Sequence, residues 1–288
     1  MLDPQYYWDI IDHCDEHGYP ARLSFTSNLW PFYKNPEKWT PLFKNERVGV
    51  TTSFNYGDTR RITTTRVFTE KDFWDVSDAM LEHVGYRPDF ISVINDDNFD
   101  TALDNVELAK RMDVECKLNY AMASGVQGKP FQLSKIYEVY VEIAKRGWAT
   151  WEFNTKQMVQ RLIGGATCCP QNRTCDSGIR ALNPGGDYYS CGSLADDKIY
   201  PIKFYDEVTA KGPIQTPLSD DLMLDAMHSG CYSCPNFNIC NGCRKTIKDH
   251  KQHGIVEAHC TLMKTLTEDI EALQGLVVPE LPRYERVD

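Results

Sequence analysis

The sequence predicts an α/β chain built in successive parts. Repeating βα units over residues 1–160 form an incomplete parallel sheet or part of a barrel. A loop-rich, cysteine-rich region covers residues 161–265, and a C-terminal helix and tail cover residues 266–288. Three observations carry this reading. Strand-like and helix-like segments alternate through the first half. Helical periodicity then fails in "RLIGGATCCPQN", where Gly and Pro enter. Of the eleven cysteines, Cys14 and Cys116 stand alone, while the other nine fall between Cys168 and Cys260.

In chain order, Tyr7, Ile10, Ile11 and Cys14 recur at i, i+3, i+4 and i+7, the stripe of an amphipathic helix, and Gly18 supplies its stop. "ARLSFTSN" and "RVGVTTSF" read as the first two strands. "EKDFWDVSDAMLEHVG" is a helix with Phe73, Val76, Met80, Leu81 and Val84 on one face. "DFISVIND" is a third strand, followed by helical "TALDNVELAKRM". "VECKLNYAM" is a fourth strand, and "LSKIYEVYVEIAKRG" is a helix with Ile136, Val139, Tyr140 and Ile143 inward. "WATWEFN" is expected to add a fifth strand, and the aromatic "LWPFYKNPEKW" reads as a packing loop. In the second half "NPGGDYYSCG" has the look of a hairpin turn leading into a cysteine. "SDDLMLDAMHSG" is a short helix capped by Ser219, and the chain from about Cys260 to Gly275 is helical.

Polar residues gather at the C-terminal ends of the strands: Thr26-Ser27-Asn28, Ser53-Phe54-Asn55, Asn95-Asp96-Asp97 and Asn119. In α/β folds that rim binds ligands. The same residue types also form turns and cap helices, so each position has two readings.

Composition narrows the function. The 288 residues carry 31 Lys and Arg against 41 Asp and Glu, a formal charge of −10, which disfavours non-specific nucleic-acid binding. The dense basic run Arg244 to Lys248 is too short to reverse that sign. No apolar run is long enough to span a bilayer, and "MLDPQYYWDIIDHCDEHG" lacks the basic start of a signal peptide. A cytoplasmic setting is therefore expected. There, dense and odd-numbered cysteines read as metal ligands before disulfides.

The chemistry concentrates in "CYSCPNFNICNGC". Cys231-x2-Cys234-x5-Cys240-x2-Cys243 sets four thiolates in thirteen residues, and Cys260 follows a short helix later. Upstream, Cys169-x5-Cys175 precedes Gly186 and Cys191. Two-residue spacers let neighbouring sulfurs converge on one metal or one cluster face. Eight such thiolates supply two four-cysteine sites, of iron–sulfur or of zinc. His259, His250 and His253 keep a mixed Cys/His zinc site open. His13 and His17, four apart on the first helix, are a further metal-binding pair or part of a solvated face with Asp12, Asp15 and Glu16. Ser24 and Ser27 lie in no G-x-S-x-G turn, and "GVQGKP" is too short for a phosphate loop.

The pattern Cys175-x10-Gly186-x4-Cys191, then Cys231-x2-Cys234-x5-Cys240-x2-Cys243, then Cys260, resembles the SPASM domain over about residues 169–260. That domain carries the auxiliary clusters of radical S-adenosylmethionine enzymes, many of which modify peptides or proteins. The resemblance implies two 4Fe–4S clusters, one on Cys169, Cys175, Cys191 and Cys243, the other on Cys231, Cys234, Cys240 and Cys260. Cys168 is the alternative to Cys169. "CNGC" has two spacer residues where the family usually has three, which shortens the reach of Cys243. Gly192 stands where relatives that oxidise a Ser or Cys side chain carry an Asp, so that acid–base role is not assigned. The first half resembles, more loosely, strands three to six of the family's partial TIM barrel. On that resemblance Asn28, Ser53 and Asn55 face the S-adenosylmethionine.

The family's CxxxCxxC motif is absent from these residues, and "MLDP" resembles the residues that follow the family's second strand. A truncated or misassigned gene start, a split enzyme completed by a separate N-terminal half, and a degenerate relative all fit. The sheet edges left by two missing units favour the first. The expectation is the C-terminal part of a radical oxidoreductase or maturase that does not cleave S-adenosylmethionine by itself. S-adenosylmethionine and a third 4Fe–4S cluster enter only with the missing part. A peptide or protein substrate and an electron donor such as a flavodoxin or ferredoxin are the implied partners. A standalone iron–sulfur electron carrier or scaffold and a structural zinc protein are the alternatives.

Overall fold

A computed structural model describes residues 2–57, 60–123, 128–164, 180–201, 228–240 and 243–281. It divides into two compact units. Met1–Asn119, Trp148–Phe153 and Val278–Asp288 form the first, and Tyr120–Gly147 with Asn154–Val277 form the second.

The first unit is built on a four-stranded parallel sheet whose strands lie in chain order. Helix α1 (Pro4–Glu16) starts at Asp3, whose carboxylate accepts the Gln5 N–H, and buries only Pro4 and Ile11. Strand β1 (Leu23–Ser27) pairs in parallel with β2 (Val48–Ser53), Leu23 opposite Val48 and Ser27 opposite Thr52. The aromatic stretch between them is not a loop: it folds into α2 (Trp30–Lys34) and α3 (Pro36–Phe43). Pro31 and Pro36 fall in the first turns of these helices, where a missing N–H costs nothing, and the Asn35 side chain accepts the Lys38 N–H. Phe32, Trp39, Leu42 and Phe43 go into the core.

Thr69 and Asp72 cap the start of α4 (Glu70–Val84) reciprocally, and Gly85 ends it at φ 102°. The predicted face is inward, with Phe73, Val76, Met80 and Val84 buried and Leu81 half-buried. Phe73 stacks on Phe54 at 4.8 Å between ring centres. Strand β3 (Phe90–Ile94) pairs in parallel with β2, and α5 (Ala102–Met112) leads to β4 (Cys116–Tyr120).

The expected fifth strand at 148–154 does not form. Ala149–Trp151 is a 3-10 turn and Phe153 already begins helix α7 (Phe153–Leu162). Only one parallel bridge joins Cys116 to Glu152. The fully buried Glu152 side chain, rather than a ladder carbonyl, accepts the Leu118 N–H at 2.8 Å. A side chain has taken the strand's place.

In the second unit α6 (Leu133–Lys145) buries Ile136, Tyr137, Tyr140 and Ile143. Strand β5 (Ala181–Leu182) pairs antiparallel with β6 (Tyr188–Tyr189), with Gly186 at φ 91° in the turn, as the hairpin reading expects. Helix α8 (Gly192–Asp197) follows Cys191. After a 3-10 turn at Ser229–Ser233 come α9 (Phe237–Cys240), α10 (Arg244–Gln252), α11 (Val256–Thr265) and α12 (Thr267–Glu271). The helix expected at Ser219 lies outside the described residues. Among the described residues no helix is long and apolar enough to cross a membrane.

Replacing Phe73 by Ala removes a fully buried ring from the first unit and is expected to cost about 3–5 kcal/mol in denaturant unfolding. A loss below about 1 kcal/mol would contradict its place in the core.

Candidate metal centre and the polar rim of the sheet

The cysteine region of the second unit is assembled around the start of α6. The first N–H groups of a helix have no partner within it, and Gln132 provides no side-chain cap. Two histidines do so instead. His250 Nε2 accepts the Leu133 N–H at 3.0 Å, and His259 Nδ1 accepts the Ser134 N–H at 3.1 Å. Both rings are buried. Burial, and then the neighbouring imidazole His259, pulls His250 down to about 3. Burial likewise pulls His259 down to about 4. Both remain neutral acceptors near pH 7.

The chain leading into Cys240 is fixed from two sides. The Ile239 carbonyl accepts from the Tyr137 hydroxyl at 2.8 Å and from Arg161 Nη1 at 2.6 Å. The buried Asn236 amide donates to the Met263 carbonyl and to Thr267 Oγ1. With α11 held in this way, Cys231, Cys234, Cys240 and Cys260 line one cavity of about 60 Å³, together with His228 and His259. Burial first, then Cys231 and Cys234, push the Cys260 thiol up to about 11. Among the described residues no three cysteine sulfurs lie within 4.8 Å of one another.

Cys191 and Cys243 form a second neighbourhood. Burial raises the Cys191 thiol, and Cys243 adds to the rise. Each precedes a helix, and Lys245 ties the two helices together. Its ammonium, 2% exposed, contacts Asp197 of α8 at 2.7 Å and Asp249 of α10 at 2.6 Å, and it donates to the Ala123 carbonyl at 2.9 Å. Burial alone pulls the Lys245 pKa down, but the two carboxylates outweigh it and the ammonium sits above its ordinary value. Cys168, Cys169 and Cys175 lie outside the described residues. Cys116 is fully buried in the first unit, and Cys14 is half-buried there.

The first unit presents a polar rim. Asn28 and Ser53 line a cavity of about 490 Å³ with Ser27, Arg60, Arg61 and Phe68. Asn55 holds one of the lining side chains. Arg60 Nε donates to Asn55 Oδ1 at 2.8 Å, and Arg60 Nη1 donates to Ser53 Oγ at 3.2 Å. Burial lowers the Arg60 pKa. Asn28 Oδ1 also accepts the Trp30 N–H at 3.1 Å, as the turn reading expects. Asn95 is a turn former, accepting the N–H groups of Asp97 and Asn98. Sequence reasoning missed Arg60; its signal was a paired cation in the loop after the second strand. His13, Glu16 and His17 are exposed on α1 with ligand atoms within 4.8 Å of one another.

A scan against protein-family models matches none, and a search of curated proteins finds no match. Among solved structures, the chain is similar to a histidine-tagged protein described as "anSMEcpe with bound AdoMet". The likeness has a TM-score of 0.60 at 13% identity and covers 93% of this chain and 80% of that one. It establishes a shared fold.

Lys245→Met would leave Asp249 buried without its cation, at an expected cost of about 3 kcal/mol or more. Urea unfolding of the variant measures it. A change below about 0.5 kcal/mol would mean that the pair does not hold these helices.

Proposed function

We propose that this chain is part of a radical S-adenosylmethionine enzyme of the SPASM kind, modifying a peptide or protein substrate and holding two auxiliary 4Fe–4S clusters. Cys231, Cys234, Cys240 and Cys260 hold one cluster; Cys169, Cys175, Cys191 and Cys243 hold the other. The observation that carries the reading is that Cys231, Cys234, Cys240 and Cys260 line one cavity. The resemblance to the SPASM cysteine pattern groups the same four. Cys191 and Cys243, grouped by the same pattern, lie within electrostatic range of each other.

The donor set fits the group. Four thiols suit an iron–sulfur cluster or zinc. His250 and His259 each commit a nitrogen to a backbone N–H, which weakens the mixed Cys/His zinc alternative. The likeness to a protein with bound AdoMet adds support that does not depend on the cysteines.

When bound, the auxiliary clusters supply one-electron transfer or a hold on the substrate, fed by a donor such as a flavodoxin or ferredoxin. The protein's own residues do the positioning. Tyr137 and Arg161 fix the backbone beside Cys240, Asn236 fixes the C-terminal end of α11 just after Cys260, and Lys245 sets α8 against α10. In the first unit, Arg60 and Arg61 line a cavity with Asn28 and Ser53, and Asn55 accepts from Arg60. Two cations among hydroxyl and amide groups suit the carboxylate of S-adenosylmethionine. Its cleavage needs a third 4Fe–4S cluster on a CxxxCxxC segment, which these 288 residues do not contain.

The test is a pair of double variants reconstituted anaerobically, with fold checked by circular dichroism. Cys231→Ala with Cys234→Ala is expected to lose about four of eight irons with matching sulfide, and Cys191→Ala with Cys243→Ala the other four. A folded variant that keeps all its iron would overturn the grouping.

A further inference from the structure

His259 faces two ways. Its Nδ1 accepts the Ser134 N–H at 3.1 Å. A neutral imidazole carries one hydrogen, so the nitrogen that accepts has none and the other must bear it. The other nitrogen, Nε2, lies 3.4 Å from Cys240 Sγ in the buried wall of the cavity, and His259 is 1% exposed. An N–H therefore points at that sulfur.

The second histidine on the cavity offers an internal contrast. His228 Nδ1, at 4.0 Å from Cys260 Sγ, already accepts the Gly230 N–H at 3.2 Å. Its Nε2 faces Glu257 Oε1 at 2.9 Å. The nitrogen nearer the sulfur carries no hydrogen, so His228 has no hydrogen to give Cys260. Two imidazoles line one cavity, and the hydrogen-bond network arms only one of them as a donor to sulfur.

We propose that His259 is a positioning residue that donates an N–H···S hydrogen bond to Cys240 and thereby raises the reduction potential of the iron–sulfur group on that sulfur. The inference rests on the cluster reading above. Reduction by one electron places negative charge on the cluster and its sulfurs, and a donor aimed at sulfur stabilises that state more than the oxidised one. The bond also sets a mechanical link. The start of α6, the imidazole and the Cys240 sulfur form one chain, so the orientation of the thiolate is fixed by a helix terminus.

His259→Asn separates the two roles, because Asn Oδ1 can still accept the Ser134 N–H while nothing reaches the sulfur. His259→Gln does the reverse, with an amide N–H long enough to reach Cys240. Iron and sulfide are counted first on the full chain: a wild type that holds no iron–sulfur group defeats the cluster reading itself. If it does hold them, a dithionite redox titration followed by electron paramagnetic resonance tests the inference. The expected result is one potential shifted negative in His259→Asn, the other unchanged, and the shifted one restored in His259→Gln. Both potentials unchanged in His259→Asn would overturn it. Should that variant fail to fold, wild-type protein labelled with ¹⁵N-histidine decides: a reduced cluster with no histidine nitrogen coupling overturns the bond.

Discussion

The start of α6 needs acceptors for its first N–H groups, and two buried histidines supply them. Much of the second unit follows from that requirement. An imidazole can accept only when neutral, so His250 and His259 must be shielded from water and from carboxylates. Shielding them brings α10 and α11 against α6. Those two helices carry or adjoin Cys243 and Cys260, and His259 also lies beside Cys240. The thiols are thus arranged by the capping of a helix that contains no cysteine. Tyr137 and Arg161 add the last constraint by sharing the Ile239 carbonyl.

The first unit solves a different problem with ordinary means. Parallel strands with helices between them leave their C-terminal ends pointing into one rim, where polar side chains collect. Ser53 and Asn55 hold Arg60 in place by accepting from its guanidinium. A cation that is partly desolvated and braced in this way is ready for an anionic ligand.

How much of this could be read from the sequence depended on how local the cause was. The strands β1 to β4 and the helices α4, α5 and α6 follow from period, which a short window contains, and the caps of α4 are local too. The hairpin at Gly186 was visible for the same reason. The segment 148–154 misled because its aromatic and β-branched content is strand-like, while the side chain of Glu152 took the hydrogen bond a fifth strand would have made. The helices α2 and α3 were hidden by three prolines and an aromatic-rich composition. At the cysteines, the resemblance to the SPASM pattern, and not spacing alone, grouped Cys231, Cys234, Cys240 and Cys260, which line one cavity. Cys169 and Cys175 fall outside the described residues. The roles of Lys245, Arg161, Tyr137 and His259 were illegible. Each depends on partners in other elements, many of them tens of residues away, and no local pattern encodes such a meeting.

The central claim is that these thiols hold iron–sulfur clusters. Iron, acid-labile sulfide and zinc per chain, measured on protein purified and reconstituted without oxygen, test it most directly. The account predicts about eight irons with matching sulfide and no stoichiometric zinc, as two thiolate-held 4Fe–4S clusters require. About two zincs with no sulfide, as closed tetrahedral thiolate sites give, would contradict it and make the cysteine region a structural zinc module.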